Sequence, residues 1–133
     1  MTTLSRDQIL SAQDVQIERV FVPEWGGEVL VRGLRGFERD EIEASMIARV
    51  GKDWRLNIHN LRAKLVAMSV VDEHGNRIFS DSDVDALGKK SAAALQRVFE
   101  VAQRLSGLSA EDVEALGKAS ASVLSADSGS GSL

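Results

Sequence analysis

Asp81-Ser82-Asp83-Val84-Asp85 spaces three carboxylates two residues apart, the opening of a calcium loop. Such a loop needs Gly at its sixth position and Glu at its twelfth. Ala86 and Ala92 stand there, so the carboxylates read as the acidic, capped first turn of a helix. His59 and His74 are the only histidines, and there is no cysteine. Two isolated imidazoles without thiolates make no metal site. His74 beside Asp72 would be a base with its orienter, but no nucleophile motif accompanies them. Gly88-Lys89-Lys90-Ser91 has part of a phosphate loop and lacks its upstream glycine and strand. Gly26-Gly27 and Gly33 lack the spacing and following helix of a dinucleotide fingerprint. No catalytic residue, metal or cofactor is expected.

Trp25 and Trp54 are the more informative side chains. Both stand in polar, Gly-bearing stretches, where a large ring either folds back as a lid on the core or anchors a partner. Composition narrows the classes of function. With 133 residues, 44% hydrophobic and 27% charged, the chain is a soluble domain's worth. A net charge of −4 disfavours nucleic acid as partner. The N-terminus has no apolar signal core, and no run reaches the roughly 18 residues of a membrane helix. Absence of cysteine fits a reducing cytoplasm.

The elements follow from pattern. Ser5 and Gln8 form a capping box, with Leu4 and Ile9 as its hydrophobic staple. From Val15 to Leu34 two β-branched runs flank Pro23-Glu24-Trp25-Gly26-Gly27, which predicts a β-hairpin. A helix is expected from about Phe37 to Val50, with Glu38, Asp40 and Glu41 in its first turn and Ile42, Met46 and Val50 on one face. Gly51–Arg55 is a polar break. A well-buried helix follows over about Ile58–Val71, striped by Ile58, Leu61, Leu65 and Met68. Asp72–Asn76 is a turn.

The stretch FSDSDVDALGKKSAAAL (Phe79–Leu95) then recurs, 29 residues on, as LSAEDVEALGKASASVL (Leu108–Leu124), with ten of 17 positions identical. Both copies carry helix-start grammar: an apolar residue, a serine cap, and an acid three later. After the first copy Ser91 opens a long helix whose apolar stripe is Leu95, Val98, Phe99, Ala102 and Leu105. That stripe is either internal core, the preferred reading, or a groove that accepts a partner helix. After the second copy the chain turns Ser- and Gly-rich, and disorder is expected over 125–133.

Three segments resemble the tail assembly chaperones of long-tailed bacteriophages. They are Ser5–Leu10 (S-R-D-Q-I-L), Val22–Leu34 (V-P-E-W-G-G-x-V-x-V-R-G-L), and Ser69 onward (S-V-V-D-E-x-G-N-R-I-F-S-D) through Lys90–Phe99 (K-S-A-A-A-L-x-R-V-F). The resemblance runs from about Leu4 to Leu116. It implies a non-enzymatic protein of the infected host's cytoplasm, absent from the finished virion. Its implied partners are the tape measure protein and, through a longer form, the tail tube protein. In that family the longer form arises by a −1 ribosomal frameshift. Leu116-Gly117-Lys118 and Leu87-Gly88-Lys89 can each be encoded as CTG-GGA-AAG, which contains a slippery heptamer.

The expected fold is α+β and mainly helical. One domain spans 1–124, with a hairpin over about 15–34 packed on about five helices across 37–124, and a flexible tail follows. The expected function is binding of the tape measure protein, with self-association through the hairpin's open edges. The alternative is a structural tail or connector subunit. Trp25, Trp54 and the Leu95–Leu105 stripe are the candidate partner-binding residues.

Overall fold

Ser91 places its hydroxyl on the backbone N–H of Ala94 at 3.3 Å and so opens the longest helix of the chain's described part. The computed structural model describes residues 2–56 and 58–108. The helices are α1 (Arg6–Ser11), α2 (Gly36–Ser45), α3 (Leu61–Ser69), α4 (Val84–Gly88) and α5 (Ala92–Leu105). The strands are β1 (Ile17–Val22), β2 (Gly27–Arg32), β3 (Ile47–Val50), β4 (Asp53–Leu56) and β5 (Val70–Val71). Short 3-10 turns cover Pro23–Trp25 and Asp81–Asp83. The fold is α+β with more helix than strand. The second copy of the repeat beyond Leu108, and the tail expected to be disordered, lie outside the described residues.

The expected hairpin is present. β1 and β2 pair antiparallel, with Val20 opposite Val29 and Val22 opposite Gly27. Their connection differs from a two-glycine turn. Pro23, whose fixed φ suits the start of a helical turn, begins a 3-10 turn that Gly26 closes in the left-handed region at φ 72°. Gly27 is already paired in β2.

Two strands stand where helix was expected. The helix over 37–50 stops at Ser45, and Ile47–Val50 pairs with Asp53–Leu56 as a second hairpin around Gly51 at φ 63°. Ile47 and Val50 are β-branched, and Gly51 supplies the turn that helix periodicity concealed. Likewise Val70 and Val71 leave α3 to pair with Val31 and Leu30, making β5 the third strand of the sheet β1-β2-β5. The helix also starts later than expected, at Leu61, and Ile58 is exposed.

The core lies where α5 rests on α3 and on the hairpin. Leu95, Val98, Phe99 and Ala102 of α5 are buried with Val22, Val31, Val66 and Val70. Each such Leu, Val or Phe contributes about 1.5–3 kcal/mol by leaving water. Ala94 and Ala102, both fully buried, let backbones approach closely. Gly33 takes that approach further. It is buried, it donates to the Gln16 carbonyl at 3.0 Å, and its α-carbon faces the backbone carbonyl of Leu105 with no room for a methyl group. Ser106 clasps the same junction, accepting from the Leu34 N–H at 2.8 Å and donating to the Ala102 carbonyl at 2.6 Å.

A buried ion pair ties the sheet to α2. Arg32 and Glu38 are each 3% exposed, and two guanidinium nitrogens meet the two carboxylate oxygens at 2.6 Å. The Arg35 N–H adds a third bond to Glu38 at 2.9 Å. Burial alone would raise the Glu38 carboxyl. The hydrogen bonds from Arg32 and Arg35, with the charges of both, outweigh it and hold the carboxyl below the ordinary 4.5.

Gly33→Ala must push against backbone, so it is expected to cost about 1–3 kcal/mol. Gly36→Ala, whose added methyl meets open space, is expected to change stability by less than about 1 kcal/mol. Urea unfolding of both variants measures the contrast. Glu38→Ala strands a buried guanidinium and is expected to cost about 3–5 kcal/mol at neutral pH. Because the folded-state value of Glu38 lies below its unfolded one, its contribution is complete above pH 4.5 and disappears as pH falls through the folded value. The difference in urea midpoint between wild type and Glu38→Ala should therefore shrink as the solution is acidified below that point.

Candidate partner-binding surfaces

The five residues of the α5 stripe are interior or nearly so. Leu95, Val98, Phe99 and Ala102 are buried and Leu105 packs against the same cluster from its edge. The stripe packs inward, and Phe99 also lines a small apolar pocket with Ile42, Met46, Leu61 and Leu65. The wet flank of α5 instead reaches the hairpin through ion pairs, Arg97 to Glu24 at 2.8 Å and Arg104 to Glu18 at 2.5 Å. Exposed pairs of this kind add little stability but fix orientation.

The two tryptophans part company. Trp25 ends the 3-10 turn beside Glu24 and is half-buried against the core. Trp54 lies not in a connection but in β4, opposite Arg49, and is 41% exposed. They belong to separate hairpins in separate sheets.

The groups weighed for chemistry have structural partners. Asp83 accepts from the Ser80 N–H at 2.8 Å, closing the capping box expected there. Asp85 accepts from Asn60 at 3.1 Å, and Asp81 meets Arg77 at 3.2 Å. Asp72 accepts from the backbone N–H groups of Asn76 at 3.0 Å and His74 at 2.8 Å. These bonds, Asn76's foremost, hold its carboxyl below the usual carboxylate range. Asp72 therefore organises a turn and does not orient an imidazole. Gly88 ends α4 with its α-carbon against the Asn60 side chain, a helix end and not a phosphate cradle.

Several large apolar side chains also remain exposed. α1 forms with its capping box, Ser5 N–H to Gln8 at 2.8 Å and Gln8 N–H to Ser5 at 3.2 Å. Yet α1 buries none of its residues. The staple residues Leu4 and Ile9 are 67% and 56% exposed, and Leu10 is exposed beside them. On β1, Ile17 and Phe21 stand exposed on either side of Arg19, which pairs with Glu28 at 3.3 Å. Alternation with Val20 and Val22 was the signal that could have placed them outside. Among the described residues β1 pairs only with β2, so its other edge is unpaired there. Val50 and Trp54 add exposed apolar surface on the second hairpin. Contiguous exposed apolar groups mark interaction surfaces in soluble proteins.

A family profile described as phage tail assembly chaperone matches residues 5–118. The chain belongs to the phage tail assembly chaperone family. The family assignment points to a non-enzymatic role. The solved structure of the bacteriophage HK97 tail assembly chaperone superposes with a TM-score of 0.54 at 18% identity. That match covers 74% of this chain and 90% of the HK97 protein. At this identity the likeness speaks for a shared fold. No curated protein matches the chain.

The tryptophans offer a direct check. Trp25→Ala is expected to lower stability by about 2 kcal/mol, less than the roughly 3–5 of a fully buried ring, and Trp54→Ala by a smaller amount. In fluorescence, Trp54 in the Trp25→Phe variant should emit to the red of Trp25 in the Trp54→Phe variant.

Proposed function

We propose that this chaperone binds the tape measure protein during phage tail assembly and keeps it soluble until tube subunits close around it. The family assignment sets the context. The observation that carries the reading is the apolar surface that the fold leaves unused: Leu4, Ile9 and Leu10 on α1, Ile17 and Phe21 on β1. A holding protein needs such surfaces, since a long apolar helix gains most by trading water for them. Recruitment of the tail tube protein belongs to a longer, frameshifted product that continues past the second copy of the repeat. The protein acts in the host cytoplasm and leaves before the virion is complete. Copies associate along the tape through the open edge of β1, and light scattering that shows only monomer at high concentration would remove that step.

Co-expression with helical fragments of the tape measure protein tests the central reading. Wild-type chain should move a fragment into the soluble fraction. Ile17→Lys with Phe21→Lys should return it to the pellet while the chaperone's own melting temperature stays within a few degrees, as surface changes do. A chain that solubilises no fragment, yet turns up in purified virions, would be a structural tail subunit.

A further inference from the structure

Helices α2 and α4 both lie against α3, and a groove of about 430 Å³ runs between them. Its floor is Ile42, Met68 and Val84. Its rim carries Glu41 on one wall and Asp81 and Asp85 on the other, with a single lysine, Lys64, on α3. Asp81, in the 3-10 turn, and Asp85, in α4, both line the groove. Three carboxylates thus face two cations, Lys64 and the Arg77 paired with Asp81, around an apolar floor, which leaves the rim net acidic. Glu41 forms no ion pair among the described residues. Asp81, whose side chain is 88% exposed, stays accessible beside Arg77.

We infer that this groove is a docking site for an amphipathic helix of the partner with apolar anchors along one face and Lys or Arg on its flanks. The inference rests on the tape measure reading above and adds to it a place and a chemistry. Charge decides the occupant. Burying apolar anchors brings the flanks of an incoming helix against the rim, where basic residues gain and acidic ones are repelled. The chain's own segment past Leu108 carries Glu111, Asp112 and Glu114 against Lys118, the same sign as the rim. Length agrees as well. The ten residues of α2 set a wall of about 15 Å, which accommodates roughly three turns of helix.

The probe is a synthetic amphipathic helix with Leu on one face and Lys on both flanks, set against a twin with Glu at every Lys position. Titration into the full chain should show binding of the Lys peptide that weakens with added salt, and little binding of the twin. Glu41→Lys with Asp81→Lys should weaken it about tenfold, the scale of a few exposed charge contacts reversed in sign. Glu73→Lys, on another surface, should not. If the double variant melts early, Glu41→Lys alone carries the test, because Glu41 is exposed and unpaired in the described part. Equal binding of the twin, or affinity unmoved by charge reversal, overturns the assignment. So does a dimer in light scattering that binds neither peptide, which would make a second copy the occupant. Co-expression separates this failure from the larger one. A double variant that still solubilises a tape measure fragment as well as wild type removes the groove and leaves the chaperone reading intact. A wild type that solubilises none, yet binds the Lys peptide by charge, keeps the groove and removes the tape measure as its occupant.

Discussion

One face of one helix organises this molecule. Leu95, Val98, Phe99 and Ala102 of α5 cover the inner side of the hairpin and the side of α3 at once. A lone β-hairpin is marginal in water, and so is a 14-residue helix. Each gains its stability from the other. The small residues Ala94, Ala102 and Gly33 set how closely the two layers approach, and the Leu105 carbonyl against Gly33 marks the limit. The α5 stripe is used inside, so the proposed partner surface is built from side chains the core leaves over.

The Arg32–Glu38 pair transmits that arrangement to α2. A bidentate pair fixes orientation as well as distance, so the end of β2 determines where α2 begins. α2 in turn supplies one wall of the groove above α3, and the Asp81–Asp85 stretch supplies the other. The pair's value is positional: a buried ion pair gains little over apolar packing, but losing one partner leaves a costly charge. Sheet, core and groove are thereby one mechanical unit, with exposed α1 and the second hairpin at its margins.

Much of this was legible in the residues. Capping boxes at Ser5 and Ser80 and the serine cap at Ser91 are local grammar, settled within four residues, and all three helix starts form as read. The α5 stripe runs for about three turns, long enough for period to decide. The strands at Ile47–Val50 and Val70–Val71 were not legible because each is short and continues a helical period. What makes them strands is a partner, Asp53–Leu56 in one case and β2 in the other. Glu38 read as a helix-start acid, since nothing local tells that Arg32 will be buried beside it. Trp25 and Trp54 looked alike in sequence. Only the tertiary fold distinguishes a ring folded onto the core from one left on a strand. The groove is assembled from three segments distant in sequence, so no window could contain it.

In the proposed mode of binding the partner is held on leftover surface while the α5 core stays closed. Hydrogen exchange on the chaperone, alone and bound to a solubilised tape measure fragment, tests it most directly. Protection is predicted to rise on α1 and β1, and on α2 and the Asp81–Gly88 stretch where the groove is filled, with α5 amides unchanged at their slow, globally limited rates. Faster exchange along α5 in the complex, with no change at α1, β1 or α2, would mean that the core stripe opens to take the partner, and would contradict this mode of binding.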